Sequence, residues 1–250
     1  MLKGKNAVVT GARTGIGRAA VERLAENGAN IWACARQSDE LFEADMRSVA
    51  ETYGVWVKTI YFDLASKVEI GAGAKLILDD RLPVDILVNN AAINQIELFA
   101  HTKIERIEEL FAVNFFGPLL LTQKLAKRMI REKRGSIINI SSLRALRAAP
   151  GRLAYSSTKA ALQLATETLA LEFASSGIRV NAIAPGQIGS DRMMNELKEK
   201  STTISNALGR FGTPSEVADV ILFLASDLSS YITGEIIRAT GGTGPDFTAS

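Results

Sequence analysis

Short apolar runs alternate with longer stretches of helical periodicity along the whole chain. Ala7-Val8-Val9 is the kind of run a buried strand carries. Ile16 to Asn27 follows, with Ile16, Ala20 and Leu24 at helical spacing and Gly28 as a stop. The same alternation then repeats. Ala29 to Ala35 predicts a strand and Ser38 to about Tyr53 a helix; Val55 to Tyr61 predicts a strand and Lys67 to Asp80 a helix. Asp85 to Val88 predicts the fourth strand, Ile104 to Lys133 one long helix, Ser136 to Ile140 the fifth strand, Leu153 to Ala174 a helix and Arg179 to Ala184 the sixth strand. After a loop region with a small helix, Pro214 to Ala225 predicts a helix and Glu235 to Ala239 the last strand. Such a pattern gives an α/β fold, a doubly wound parallel sheet with helices on both faces linked by right-handed crossovers. No repeat, linker or low-complexity segment breaks it, so residues 1–250 read as one domain. Sheets of this type bind ligands beyond the carboxyl ends of their strands, which directs attention to the loops that follow them.

Composition narrows the function. The chain has 250 residues, 47% of them hydrophobic, enough for one sizeable core. A net charge of +2, without a long basic run, gives no reason to expect a nucleic-acid partner. The single cysteine, Cys34, rules out an internal disulfide and suits a reducing cytoplasm. No apolar stretch is long enough to span a bilayer, and the first residues lack the apolar core of a signal peptide. Soluble, cytoplasmic and not membrane-bound is the expectation. One histidine, His101, leaves little for a His-based metal site or a Ser-His-Asp triad, so no metal is expected.

The first strand runs into Thr10-Gly11-Ala12-Arg13-Thr14-Gly15-Ile16-Gly17, a glycine loop that opens a helix. Glycines let the backbone turn tightly and approach a phosphate, and the helix offers unpaired N–H groups and a positive dipole end to a pyrophosphate. The spacing G-x-x-x-G-x-G differs from the commoner G-x-G-x-x-G, and a plain glycine turn is the alternative. The second strand ends in Ala35-Arg36, with no acid to accept from an adenosine ribose 2′-hydroxyl. Arg36 can instead pair with a 2′-phosphate, which favours NADP(H) over NAD(H). Arg13 could close on the same phosphate or stand solvated. Asp63, followed by Leu64, is placed to accept from the adenine amine, or simply caps its own loop.

Tyr155 and Lys159 stand four apart at the start of a helix, on one face and roughly 6 Å apart along its axis. A free phenol has a pKa near ~10, too high for easy proton exchange at neutral pH. An ammonium about 4 Å away would stabilise the phenolate by up to ~4 kcal/mol at moderate dielectric, before screening, and draw the phenol downward. Taken alone, Tyr and Lys at this spacing are common and usually structural. Ser142 ends the fifth strand and could polarise a substrate carbonyl. Asn114 lies four residues before Pro118, which has no N–H, so the Asn114 carbonyl loses its usual helical partner and could hold a water that links Lys159 to solvent.

Thr10-Gly11-x-x-x-Gly15-Ile16-Gly17, Asp63, Asn89-Asn90-Ala91, Asn114, Ser142, Tyr155-x-x-x-Lys159 and Pro185-Gly186 together resemble the short-chain dehydrogenase/reductase family over essentially the whole chain. The resemblance implies a Rossmann-like sheet of about seven strands and an Asn-Ser-Tyr-Lys tetrad of Asn114, Ser142, Tyr155 and Lys159. Gly11, Thr14, Gly15, Ile16, Gly17, Asn90, Ala91, Tyr155, Lys159, Pro185 and Gly186 would bind the cofactor, with Ile188 and Ser190 facing the carboxamide. It also implies a homotetramer built on the two longest helices, with Leu164, Leu169, Leu171 and Phe173 among the residues that make the second of these apolar over more than one face. Ala92 and Ala145 stand where the family usually has glycine. Stretches such as Ile137 to Ser142 and Arg179 to Gly186 look like the 3-oxoacyl-[acyl-carrier-protein] reductase branch. Lys133 matches one basic carrier-docking position of that branch, and Ser176 replaces the other.

These features imply an oxidoreductase that moves a hydride between a nicotinamide cofactor and a carbonyl or alcohol carbon. Its substrate would be a small molecule or a carrier-bound carbonyl, most readily a 3-oxoacyl thioester. A dehydrogenase of a sugar, polyol or other secondary alcohol is the alternative, and a non-catalytic NADP(H) sensor a third reading. Arg144, Arg147 and Arg152 crowd the loop between Ser142 and Tyr155; they either recognise an anionic substrate group or form a solvated basic loop.

Overall fold

The computed structural model describes residues 1–189 and 206–243. Seven strands form one parallel sheet: β1 (Asn6–Thr10), β2 (Asn30–Ala35), β3 (Val57–Tyr61), β4 (Ile86–Asn89), β5 (Gly135–Ile140), β6 (Ile178–Pro185) and β7 (Ile236–Ala239). Their spatial order is β3-β2-β1-β4-β5-β6-β7. The sequence reverses direction between β1 and β4, and the crevice at such a switch point is where a ligand is expected.

Successive residues of each strand feed different cores, as period-2 side-chain alternation requires. Val9, Ile31, Ile86 and Ile138 join one apolar cluster, whereas their neighbours Val8, Trp32, Leu87 and Ile137 join the other. The first cluster is closed by α1 (Gly15–Glu26), α2 (Glu40–Tyr53) and a helix over Pro214–Ala225, here α7. The second is closed by α3 (Lys67–Asp79), α5 (Gly117–Glu132) and α6 (Leu153–Phe173). This is why the strands read as continuous apolar runs rather than alternating ones. Each fully buried aliphatic side chain contributes about 1.5–3 kcal/mol relative to exposure.

Most expected boundaries fall within two residues of those observed. The long helix expected over Ile104 to Lys133 is different. It comprises α4 (Ile104–Phe111), a single wide turn over Ala112–Phe116, and α5. In the wide turn the Gly117 N–H reaches the Ala112 carbonyl, five residues back instead of four. The apolar circumference of α6 is not covered within one chain: Leu164 is 67% exposed and Leu171 83%. Among the described residues, no helix is long and apolar enough to cross a membrane.

Candidate active site

The loop after β1 is fastened to the loop after β4. Thr10 Oγ1 accepts the N–H groups of Asn90 (2.9 Å) and Ala91 (3.1 Å), and Asn90 Nδ2 donates to the carbonyls of Thr10 (3.0 Å) and Gly11 (3.3 Å). The approach is close enough to need glycine. A Cβ on Gly11 would lie 2.8 Å from Asn90 Nδ2, and one on Gly17 would lie 2.1 Å from the Gly11 carbonyl oxygen. On the other side of the loop, a Cβ on Gly15 would meet nothing within 4 Å. The helix N-cap Thr14 makes no side-chain cap bond, in contrast to Asp39, Ser66 and Thr213 at the starts of α2, α3 and α7. A tight backbone turn, open space beside it and first-turn amides without a capping side chain together fit a dinucleotide pyrophosphate.

A cleft of about 400 Å³ opens there, between the ends of β1 to β4. Of the expected cofactor residues, Gly11, Arg13, Thr14, Arg36, Asp63, Leu64 and Ala91 line it. Others stand behind it. Ile16 packs against the core, Gly17 is buried under the loop, and the Asn90 side chain braces the loop from beneath. Pro185 and Gly186 end β6 beyond the cleft, and Ile188 bridges to Gly212. Ser190, and residues 191–205 of the expected 191–208 lid, lie outside the described residues.

The two candidate phosphate cations differ. Arg13 is paired with Asp39, whose carboxyl is held below its ordinary range by the backbone N–H of Phe42, that of Leu41 and the Arg13 charge. Arg36 is exposed and makes no ion pair among the described residues. Asp63 Oδ1 accepts the Ala65 N–H at 2.8 Å, so this carboxylate also caps its own loop.

The tetrad residues converge at the ends of β4 and β5 and on the first turns of α6. Lys159 is 2% exposed, and its Nζ donates to the Ile140 carbonyl at 2.7 Å, the last carbonyl of β5. Burial lowers its pKa to about 8. Tyr155 lies close enough to Ser142 and Arg152 for both to act on its phenol. The expected lowering of the phenol by Lys159 is not what this geometry gives. Burial pushes Tyr155 up, while the neighbouring Ser142 hydroxyl and the Arg152 charge oppose the rise. The reason is distance: Lys159 Nζ turns toward β5 and stands 5.9 Å from the Tyr155 ring centre.

Asn114 is fully buried at the middle of the wide turn. Its amide accepts from Ile93 N–H (2.8 Å) and donates to the Ile93 carbonyl (2.9 Å) and to Thr158 Oγ1 (3.3 Å). One side chain thus ties the loop after β4 to α6.

Sequence reasoning missed a second layer. Gln163 Nε2 donates to Ser141 Oγ (2.9 Å), which donates to the Lys159 carbonyl (3.1 Å). Behind it, Asn139 Nδ2 donates to Thr166 Oγ1 (2.9 Å), and Asn139 Oδ1 accepts from Asn89 Nδ2 (2.9 Å). The signal was present: Tyr155, Lys159, Gln163 and Thr166 form a polar stripe at helical spacing in an apolar helix. The three arginines of the next loop part company. Arg144 and Arg147 line a small cavity beside Ser142, while Arg152 donates to Asn94 Oδ1 (2.5 Å) and the Gln95 carbonyl (3.0 Å).

Residues 11–244 match the family model described as enoyl-(acyl carrier protein) reductase. A 3-oxoacyl-[acyl-carrier-protein] reductase of Aquifex aeolicus is 41% identical over 244 residues, 96% of this chain and 98% of that protein. A solved short-chain dehydrogenase/reductase family protein superposes with a TM-score of 0.84 at 32% identity, covering 96% of this chain and 97% of that one. A gluconate 5-dehydrogenase from Burkholderia cenocepacia, solved in complex with NADP and tartrate, superposes with a TM-score of 0.87 at 28% identity, covering 97% and 96%. With this fold, this site and these likenesses, the chain belongs to the short-chain dehydrogenase/reductase family. Within it, the chain is an oxidoreductase of carbonyl and alcohol groups, similar to the 3-oxoacyl-[acyl-carrier-protein] reductases.

Proposed function

We propose that this chain uses NADPH, in preference to NADH, to reduce the keto group of a 3-oxoacyl thioester, as a cytoplasmic homotetramer. The observation that carries the reading is the placing of Tyr155 beside Ser142 at the end of β5 with buried Lys159 behind them. When bound, the nicotinamide dinucleotide supplies the hydride. Ser142 Oγ orients the substrate oxygen, and the Tyr155 hydroxyl gives that oxygen its proton as the C=O bond becomes a C–OH. Lys159, with a pKa brought down to about 8, exchanges a proton near neutral pH and reprotonates the phenolate. The Asn114 carbonyl, which faces a proline four residues on, holds the water that links Lys159 to solvent.

Arg36 receives the 2′-phosphate, because its charge is uncommitted whereas Arg13 is already paired with Asp39. Support for the tetramer comes from exposed Leu164 and Leu171 on α6 and from the apolar groove of about 710 Å³ lined by Phe116, Leu120, Leu169 and Phe173. A monomeric mass in solution would refute it.

A second reading, oxidation of a sugar acid or polyol, is favoured by the likeness to the gluconate 5-dehydrogenase and by the arginines beside Ser142. The two are separated by following NADPH and NADH oxidation against acetoacetyl thioesters, keto sugars and quinones. The thioester reading expects the highest kcat/KM on the thioester with NADPH. Keto sugars outranking it would replace this reading with the second.

A further inference from the structure

Beside Ser142, between the loop after β5 and Pro185-Gly186, lies a cavity of about 100 Å³. Leu143, Arg144 and Arg147 form its loop side, and no carboxylate lines it among the described residues. Several arginines elsewhere are matched, as in Arg18–Asp45, Arg23–Asp219 and Arg210–Glu216. Arg144 and Arg147 make no ion pair among the described residues, and Arg147 Nη2 is buried without a hydrogen-bond partner. An unpaired buried donor is costly unless a ligand completes it. Arg152 adds a third positive charge near by, close enough to Arg144 and Tyr155 to feel both.

Size decides what enters. The cavity is a quarter the volume of the cofactor cleft, about 100 Å³ against about 400 Å³, which suits a compact group. A carboxylate with one or two methylenes is a group of that size. A guanidinium fork matches two carboxylate oxygens.

We propose that this cavity takes an anionic group borne by the carbonyl substrate itself, so that the preferred 3-oxoacyl substrate ends in a carboxylate rather than a methyl. This rests on the reading of the chain as an NADPH-dependent carbonyl reductase. The test compares 3-oxoadipyl-CoA with 3-oxohexanoyl-CoA, equal in chain length and different at the far end. Dihydroxyacetone phosphate against dihydroxyacetone serves as the phosphate arm. The acidic thioester is expected to exceed the neutral one by about tenfold or more in kcat/KM, the size of a lost charged contact. Arg147→Gln and Arg144→Gln should collapse that ratio through KM, and Arg147→Lys should keep part of it. A ratio near one in the native chain, or one that the glutamine variants leave unchanged, overturns the proposal. A preference confined to the phosphate pair overturns the carboxylate assignment.

Absence of turnover on every ketone would sink the reductase reading instead, and the cavity is then judged by calorimetric binding of tartrate. Binding that weakens by about tenfold or more in Arg147→Gln upholds the anion site. No binding, or binding that ignores the substitution, removes it.

Discussion

At the ends of β1 and β2 the cleft is shaped by main chain: glycines where a Cβ would collide, amides without caps and carbonyls gripped by Asn90. At the ends of β4 and β5 the site is shaped by buried side chains from several elements: Asn114 donates to the Ile93 carbonyl, Lys159 to the Ile140 carbonyl, Ser141 to the Lys159 carbonyl and Gln163 to the Ser141 hydroxyl. The first region tolerates variation wherever the backbone can still pass. The second stores its geometry in hydrogen bonds that must all be satisfied, because an unmet buried polar group costs about 1–3 kcal/mol.

Four substitutions put that contrast at risk, and they are expected to differ in size. The largest effect belongs to the side-chain half. Tyr155→Phe removes the proton donor and should lower kcat by about 10²–10⁴-fold, with the far-ultraviolet spectrum unchanged. A loss of less than about tenfold would move the acid role elsewhere.

Lys159 comes next, through pH. Its folded pKa, about 8, lies below its ordinary 10.5, so the unfolded chain binds this proton more tightly than the native one does. Stability from this group therefore rises as pH climbs from about 8 toward 10.5, by about 3 kcal/mol in all. Cys34 works in the opposite sense, since burial raises its thiol pKa and its stabilisation fades once the unfolded thiol ionises. Subtraction isolates the lysine. In urea melts between pH 7 and 10.5, the native chain should gain about 3 kcal/mol relative to Lys159→Met, and parallel curves would show the amine to keep its ordinary pKa in the folded chain.

Gly17→Ala challenges the main-chain half. Its Cβ would stand 2.1 Å from a backbone oxygen that cannot turn aside, so a destabilisation of about 1–3 kcal/mol and weaker NADPH binding are expected from melting and fluorescence titration. A neutral result would mean that the glycine loop yields after all. The smallest effect is Arg36→Ala, which should reduce the NADPH-over-NADH preference by about tenfold, worth ~1.4 kcal/mol. If the preference instead collapses in Arg13→Ala, the phosphate is held by the arginine that Asp39 now occupies.

The doubly wound sheet was readable because each strand has apolar neighbours on both faces, and such runs separated by helical periods admit few other arrangements. The glycine loop and the Tyr155–Lys159 spacing were readable for the same local reason. What escaped depends on distances across the fold. Lys159 chooses the Ile140 carbonyl over the phenol, Asn114 chooses Ile93, and Arg13 finds Asp39. None of these partners is within a helical turn in sequence. Pro118 hinted at irregularity in the long helix, but not that the irregular turn would lie wholly on its amino-terminal side.

That wide turn has a consequence for helical phase. An α-helix advances about 100° per residue, and a turn closed at five residues instead of four carries one residue more than the regular count. Deleting Phe115 or Phe116 would return the helix to its ordinary period and swing α4 by about 100° around the shared axis relative to α5. Substitutions there alter a contact; a deletion changes which way the whole preceding segment faces, and would turn the Asn114 amide away from Ile93 without removing a single one of its atoms.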